Sequence, residues 1–167
     1  MNDVVDTPLC SRVMTEADLP AVMAIEERAY VVPWTPGIMR DCLRVGYHCW
    51  VYEQEGELVG YGILSAAMDV GESHILNLCV RPESQGRGLG RRILEHLLEQ
   101  SKRLGCHLVL LEARPSNPVA IRLYRSAGFE QIGRRKRYYP TPTGREDALV
   151  FALDISAAFS GQEGRET

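Results

Sequence analysis

The sequence predicts an α/β (α+β) protein: a mixed, mostly antiparallel sheet with one parallel strand pair at its centre, flanked by helices. Two observations predict it. The apolar run His74 to Val80 is followed by a glycine turn, Gln85-Gly86-Arg87-Gly88-Leu89-Gly90. An amphipathic stretch from Arg91 to Leu104 and a second apolar run from His107 to Ala113 come next. Strand, helix and strand in that order give a parallel pair joined by a right-handed crossover. Earlier, Tyr47 to Glu53 and Leu58 to Ala67 flank Gln54-Glu55-Gly56-Glu57 and read as an antiparallel hairpin.

Taken in order, Cys10 to Met14 is a short first strand. Thr15 caps a helix with Asp18 three residues on, and Leu19, Val22, Met23 and Ile25-Glu26 carry its stripe. Pro33-Trp34 breaks that helix. Thr35 caps the next, with Pro36 in its first turn. The hairpin and the strand from His74 to Val80 come after it. In the central helix Ile93, Leu94, Leu97, Leu98, Ser101 and Leu104 set one face, and Gly105 ends it. His107 to Ala113 is an unbroken apolar strand of the kind covered on both faces. Asn117 to Ala127 is a helix closed by Gly128. Phe129 to Lys136 and Ala148 to Ile155 are the last strands.

At 167 residues the chain has the length of one domain with a full core. It divides into an extension over 1–9, a folded unit over 10–155 and a polar, Gly-rich tail over 156–167 that is expected to be disordered. Hydrophobic content of 45% and charged content of 25% are those of a soluble globular protein. A net charge of −3 offers no global field for nucleic acid or an anionic membrane. Five scattered cysteines, Cys10, Cys42, Cys49, Cys79 and Cys106, form no Cys-x-x-Cys and read as reduced thiols, mostly buried, in a cytoplasmic protein. His48, His74, His96 and His107 lack metal-ligand spacing, so no metal is expected. Met1 to Pro8 has no apolar core for a signal peptide, and no apolar run approaches the length of a membrane span.

The glycine turn is the first chemical signal. The opening N–H groups of a helix have no intrahelical partner, and glycine lets backbone close on a ligand. A phosphorylated small molecule is therefore expected at the start of the central helix. A Walker loop is excluded because no Gly-Lys-Ser/Thr closes the turn. A dinucleotide fingerprint is disfavoured, because Arg91 stands where its last glycine belongs. A plain strand-to-helix connection is the bland alternative. Glu112, near the end of an apolar strand, is the second signal, since burying a carboxylate costs free energy unless it is paired. It is either a salt-bridge partner, with Arg114 the candidate, or a general base with a raised pKa. Asn117 caps its helix, and Tyr124, two turns on, points the same way. Arg134-Arg135-Lys136-Arg137 is the one basic run, read first as a solvated strand edge and second as a contact for RNA or a phosphate.

The stretch Val80-Arg81-Pro82-Glu83-Ser84-Gln85-Gly86-Arg87-Gly88-Leu89-Gly90 resembles motif A of the GNAT acetyltransferases. The stretch Leu111 to Asn117, continuing to Leu123-Tyr124-Arg125-Ser126-Ala127-Gly128-Phe129, resembles motif B. Arg137-Tyr138-Tyr139-Pro140-Thr141, Gly144-Arg145-Glu146-Asp147-Ala148 and Val32-Pro33-Trp34-Thr35 resemble the RimI group, which acetylates the N-terminal alanine of small-subunit ribosomal protein eighteen. The resemblance runs from about Arg12 to Ile155.

It implies the GNAT fold, with the central parallel strands splayed, and acetyl-CoA as donor attacked directly by an amine. It implies CoA contacts at Leu78, Cys79, Val80, Gln85, Gly86, Arg87, Gly88, Leu89, Gly90, Arg91 and Asn117. It assigns the base to Glu112 and the acid that protonates the departing thiolate to Tyr124, whose other reading is a half-buried packing residue. It places Trp34, Tyr138 and Tyr139 around an acceptor peptide, where their other reading is core or strand-edge aromatics. The implied partner is a protein N-terminus, most simply of a ribosomal protein, with no direct nucleic-acid or membrane contact expected; the sequence leaves the oligomeric state open, with a monomer favoured. Lysine or small-molecule amines are the alternative acceptors. A non-catalytic acyl-CoA-binding or ribosome-assembly module is the alternative class, and the joint presence of Glu112 and Tyr124 argues against it.

Overall fold

The computed structural model describes residues 7–156, so residues 1–6 of the expected extension and 157–167 of the expected tail lie outside it. The elements are β1 Cys10–Val13, a 3-10 turn Glu16–Asp18, α1 Leu19–Ala29, α2 Pro36–Arg44, β2 His48–Gln54, β3 Glu57–Ala67 and β4 Glu72–Val80. A 3-10 turn Pro82–Ser84 leads to α3 Leu89–Arg103, β5 Leu108–Ala113, α4 Pro118–Ser126, β6 Glu130–Thr141 and β7 Gly144–Asp154. One seven-stranded sheet runs β1-β2-β3-β4-β5-β7-β6. Of its pairs only β4 with β5 is parallel. The mixed sheet expected from the sequence is therefore present, and its parallel pair brackets α3.

Two cores cover the two faces. α1 and α2 bury Val22, Met23, Ile25 and Met39 against Val51, Tyr61 and Ile63. α3 and α4 bury Leu89, Ile93, Leu94, Leu97 and Tyr124 against Val109, Leu111 and Phe151. Four of the five cysteines are buried, and all five are free thiols. No helix among the described residues is long and apolar enough to cross a membrane.

The last hairpin differs from its expected bounds. β6 and β7 run past Lys136 and begin before Ala148, closing on a two-residue turn at Pro142-Thr143. The register breaks between Arg135 and Tyr139, where three residues of β6 stand opposite Asp147. There Arg137 takes φ 52, and the Asp147 carboxylate accepts its N–H at 3.0 Å. Exposed Arg and Lys obscure the strand pattern in the sequence, because this hairpin arm buries little on either face.

β4 carries the irregularity that matters most. Ile63 pairs with Asn77 but Leu64 pairs with Ile75, so Leu76 is bulged out of the ladder. The extra residue exchanges the two faces of the strand beyond it. Before the bulge, Ser73 bonds Ser101 of α3 at 2.8 Å and Ile75 packs in the α3–α4 core. After it, Asn77 bonds Glu26 of α1, and Cys79 packs in the α1–α2 core.

Asp18 locks β1 to the start of α1. Its carboxylate accepts the Thr15 N–H at 2.8 Å and bonds from the two terminal Arg12 guanidinium nitrogens at 2.8 and 2.7 Å. The Arg12 hydrogen bond, ahead of the Thr15 N–H, holds the Asp18 carboxyl down at about 2, below its ordinary 3.8. A carboxyl depressed in the folded state stabilises above its unfolded pKa, and that contribution is lost as pH falls through the folded one. Acid unfolding should thus show a stability loss between about pH 4 and pH 2 that Asp18→Asn flattens. Urea midpoints measured down this pH range for both proteins are the check, and parallel curves would refute the assignment.

Candidate active site

The bulge at Leu76 opens the sheet. β4 and β5 pair from Glu72 with Leu108 to Ile75 with Leu111, and no further. Beyond that point Leu76 to Val80 and Glu112-Ala113 diverge, each held only by its other neighbour. A cleft of about 280 Å³ runs through the gap. Its walls are Tyr30 and Trp34 from the α1–α2 connection, Asn77 and Leu78 from β4, Glu112 from β5, Asn117 and Tyr124 from α4, and Tyr139 from β6.

The splayed half of β4 presents backbone to this gap. Arg81 N–H donates to Val59 O at 2.8 Å, which makes Arg81–Val59 a hydrogen-bonded pair with β3. Alternation along an antiparallel ladder then turns the N–H and C=O of Leu78 and Val80 the other way, toward β5. Their carbonyls confirm the direction. Leu78 O accepts the Tyr30 hydroxyl at 3.2 Å, and Val80 O accepts the Gln85 amide at 3.0 Å. The Leu78 and Val80 N–H groups are left facing the gap between β4 and β5, where no strand pairs with them. The Cys79 side chain points away into the α1–α2 core, and burial pushes its thiol up to about 11.

The glycine turn completes the donor side. Gly86 and Gly88 both take φ 77, and Gly88 is the N-cap of α3. A Cβ at either would meet no protein atom within 4 Å. The N–H groups from Gly86 to Arg91 make no hydrogen bond among the described residues, the first helical bond being Arg92 N–H to Gly88 O. A run of free donors at a helix N-terminus, beside open space, fits a pyrophosphate. Leu89 is buried and Arg87 exposed, while the Arg91 guanidinium donates to Ser126 Oγ of α4.

Glu112 is 10% exposed at its side chain and ion-paired, but not with Arg114: Arg135 Nε lies 2.8 Å from its Oε1. Arg114 instead pairs with Glu146 at 3.0 Å, donates to Pro140 O at 2.9 Å and lies over the Tyr139 ring at 4.3 Å. Glu112 in β5 and Arg114 just past its end thus find partners on different strands, Arg135 on β6 and Glu146 on β7. Burial pushes the Tyr139 phenol well up and the Tyr138 phenol up, Glu112 adding to both. Tyr138 is 44% exposed and packs edge-on to Tyr139 at 5.0 Å. Half of the basic run is engaged in such contacts: Arg134 bonds Asp147 at 2.9 Å, and Arg135 turns in to Glu112.

Tyr124 is 8% exposed, packed against Phe129 and Phe151, and burial raises its phenol to about 12. Asn117 caps α4 by accepting the Ala120 N–H at 3.2 Å. The structure thus gathers Trp34, Leu78, Glu112, Asn117, Tyr124 and Tyr139 around one cleft; Val80 and the Gln85–Arg91 turn lie outside its lining, and Tyr138 stands beside Glu112. Sequence reasoning passed over Tyr30, Asn77 and Glu26. Glu26 had a signal, an acid within the apolar stripe of α1. The other two look like ordinary strand and loop residues.

The model of the "Acetyltransferase (GNAT) family" matches residues 19–129. The [ribosomal protein bS18]-alanine N-acetyltransferase of Escherichia coli K12 is 40% identical over 139 residues, covering 83% of this chain and 93% of that protein. The crystal structure of the ribosomal-protein-S18-alanine N-acetyltransferase from Escherichia coli superposes with a TM-score of 0.81 at 36% identity, over 89% of this chain and 94% of that one. yncA from Salmonella typhimurium, solved with acetyl-CoA, shares the fold at a TM-score of 0.73 and 22% identity, over 89% of this chain and 95% of that one.

The Glu112–Arg135 pair is open to a double-mutant cycle. Arg135→Met strands a nearly buried carboxylate and should cost roughly 1–3 kcal/mol. Glu112→Gln in the same background should recover part of it, with a coupling of at least about 0.5 kcal/mol in urea unfolding. Strictly additive losses would mean the two side chains do not meet in solution.

Proposed function

Because the chain belongs to the acetyltransferase (GNAT) family, we propose that it transfers the acetyl group of acetyl-CoA to a protein N-terminal α-amine, that of the alanine opening small-subunit ribosomal protein eighteen. The acetyltransferase unit is residues 10–155. The observation that carries the reading is one cleft that gathers Glu112 and Tyr124 at the splay, together with the free N–H groups of the glycine turn that follows the end of β4. The relatives so named share the chain over most of its length.

When bound, acetyl-CoA supplies an activated acetyl thioester. The Gly86–Arg91 N–H groups hold its phosphates, with Gln85 braced on Val80 O and Asn117 on the opposite wall. The Leu78 and Val80 N–H groups pair with the extended arm of the donor as a further strand would, and Val80 N–H polarises the thioester carbonyl. Glu112 takes the proton from the incoming ammonium, directly or through water. Tyr124 gives a proton to the sulfur that departs. Burial raises its phenol to about 12, so at neutral pH it holds the proton it donates. Trp34, Tyr138 and Tyr139 wall the acceptor. An α-amine, with a pKa of about 7.7–8.0 against about 10.4 for lysine, yields its proton to such a base more readily.

Turnover across N-terminal peptides, a lysine-containing peptide and polyamines should favour α-amines, with small first residues best. Glu112→Gln should keep CoA affinity and lose roughly 10²–10⁴ in rate, most severely at low pH, where the amine stays protonated. Equal rates for parent and variant across pH would make Glu112 structural. A preference for lysine or polyamines would overturn the acceptor class.

A further inference from the structure

Resting on the reading of this cleft as an amine-acceptor site, we infer that Glu26 is the fixed counter-charge that selects acceptors arriving as ammonium cations. Glu26 on α1 is 2% exposed and lines the cleft. Its Oε1 accepts the Trp34 N–H at 3.1 Å, and its Oε2 accepts the Asn77 amide at 3.2 Å and the Tyr61 hydroxyl. Every one of these donors is neutral.

The other wall contrasts with this. There Glu112 holds Arg135 and Glu146 holds Arg114. Among the described residues Glu26 has no such ion pair. Neutral donors solvate a buried carboxylate but do not cancel its charge, and a buried charge without a counter-ion is costly. Around a buried carboxylate the field also carries further than in water. A carboxylate offers about four lone-pair sites, and three are taken, so one remains for a donor that enters from the cleft. The ligand that completes this site is a cation.

The chemistry of the proposed reaction supplies one. The acceptor arrives as an ammonium and leaves as an uncharged amide. A fixed negative charge therefore favours the substrate over the product, and a charged amine over an alcohol or a neutral group of the same shape. Glu26 takes no proton in this scheme. Its oxygens are held by donors that also fix the Trp34 backbone and the splayed half of β4, and Glu112 remains the base.

The test compares equilibrium binding of two peptides to the CoA-loaded enzyme by calorimetry. One begins with alanine, and the other carries a propanoyl group in its place, the same peptide without the ammonium. The parent should bind the alanine peptide about tenfold more tightly, the order expected of one desolvated charge contact. Glu26→Gln should reduce that ratio to within about threefold by weakening the alanine peptide alone, whereas Glu26→Asp, which keeps the charge, should retain a clear preference. Equal weakening of both peptides by Glu26→Gln would overturn the proposal and leave Glu26 as a brace for Trp34 and Asn77. So would a parent with no preference, a result that needs no variant to fold. Turnover of the alanine peptide reads the acetyltransferase assignment separately. A parent that prefers the ammonium yet never acetylates it would sink that assignment and leave the counter-charge standing. A parent that acetylates, with the preference intact in Glu26→Gln, would do the reverse.

Discussion

The site depends on one extra residue in one strand. Without Leu76 out of register, β4 would continue its ladder with β5 past Ile75 and Leu111, and the centre of the sheet would be closed. With it, the strand bends, the pair parts, and the Leu78 and Val80 N–H groups lose the partners a parallel ladder would give them. Unpaired backbone donors inside a protein are costly. A fold that keeps them must offer them a ligand. The cleft is the answer that the remaining elements are arranged around: α4 on one side, the α1–α2 connection on another, and the long β6–β7 hairpin leaning Tyr139 over the opening.

The same bulge explains why two different kinds of partner can meet there. Because the faces of β4 exchange at Leu76, the strand looks to α3 before the bulge and to α1 after it. The glycine cradle opens α3 just beyond the end of β4, while Glu26 on α1 reaches the cleft from the face where Asn77 points. A phosphate-bearing donor and a cationic acceptor thus approach groups of opposite electrical character, free N–H dipoles for one and a carboxylate for the other. They need not compete for the same surface.

Much of this was legible in the residues. Periodicity and turn chemistry placed the hairpin, the parallel pair, the Thr35 and Asn117 caps and the glycine turn within a few residues of where they stand. The hidden part is register. Nothing in His74 to Val80 marks Leu76 as the bulged position, since a bulge is a relation between two strands rather than a property of one. Glu112 could be singled out as a misplaced charge, but its partner could not. Arg114 is two residues away in sequence, whereas Arg135 arrives from a strand two places across the sheet. The tyrosine pair was visible as a motif, yet its strand was not, because Arg134 to Arg137 hide an edge strand behind a basic run.

That basic run also shows why charge must be counted by contact rather than by composition. Read as sequence, four adjacent cations invite a polyanion. In the fold Arg134 and Arg135 are bound to Asp147 and Glu112, and Arg137 lends its backbone N–H to Asp147 at the bulge within the hairpin. The arginine nearest the chemistry serves to offset the charge of Glu112, so the carboxylate can sit in an apolar strand without forcing the strand open. Glu26, given no such arginine, has a different electrostatic environment at the same cleft. Two buried carboxylates, one neutralised by the protein and one not, can divide the handling of an ammonium between them: one to draw the cation in, the other to remove its proton.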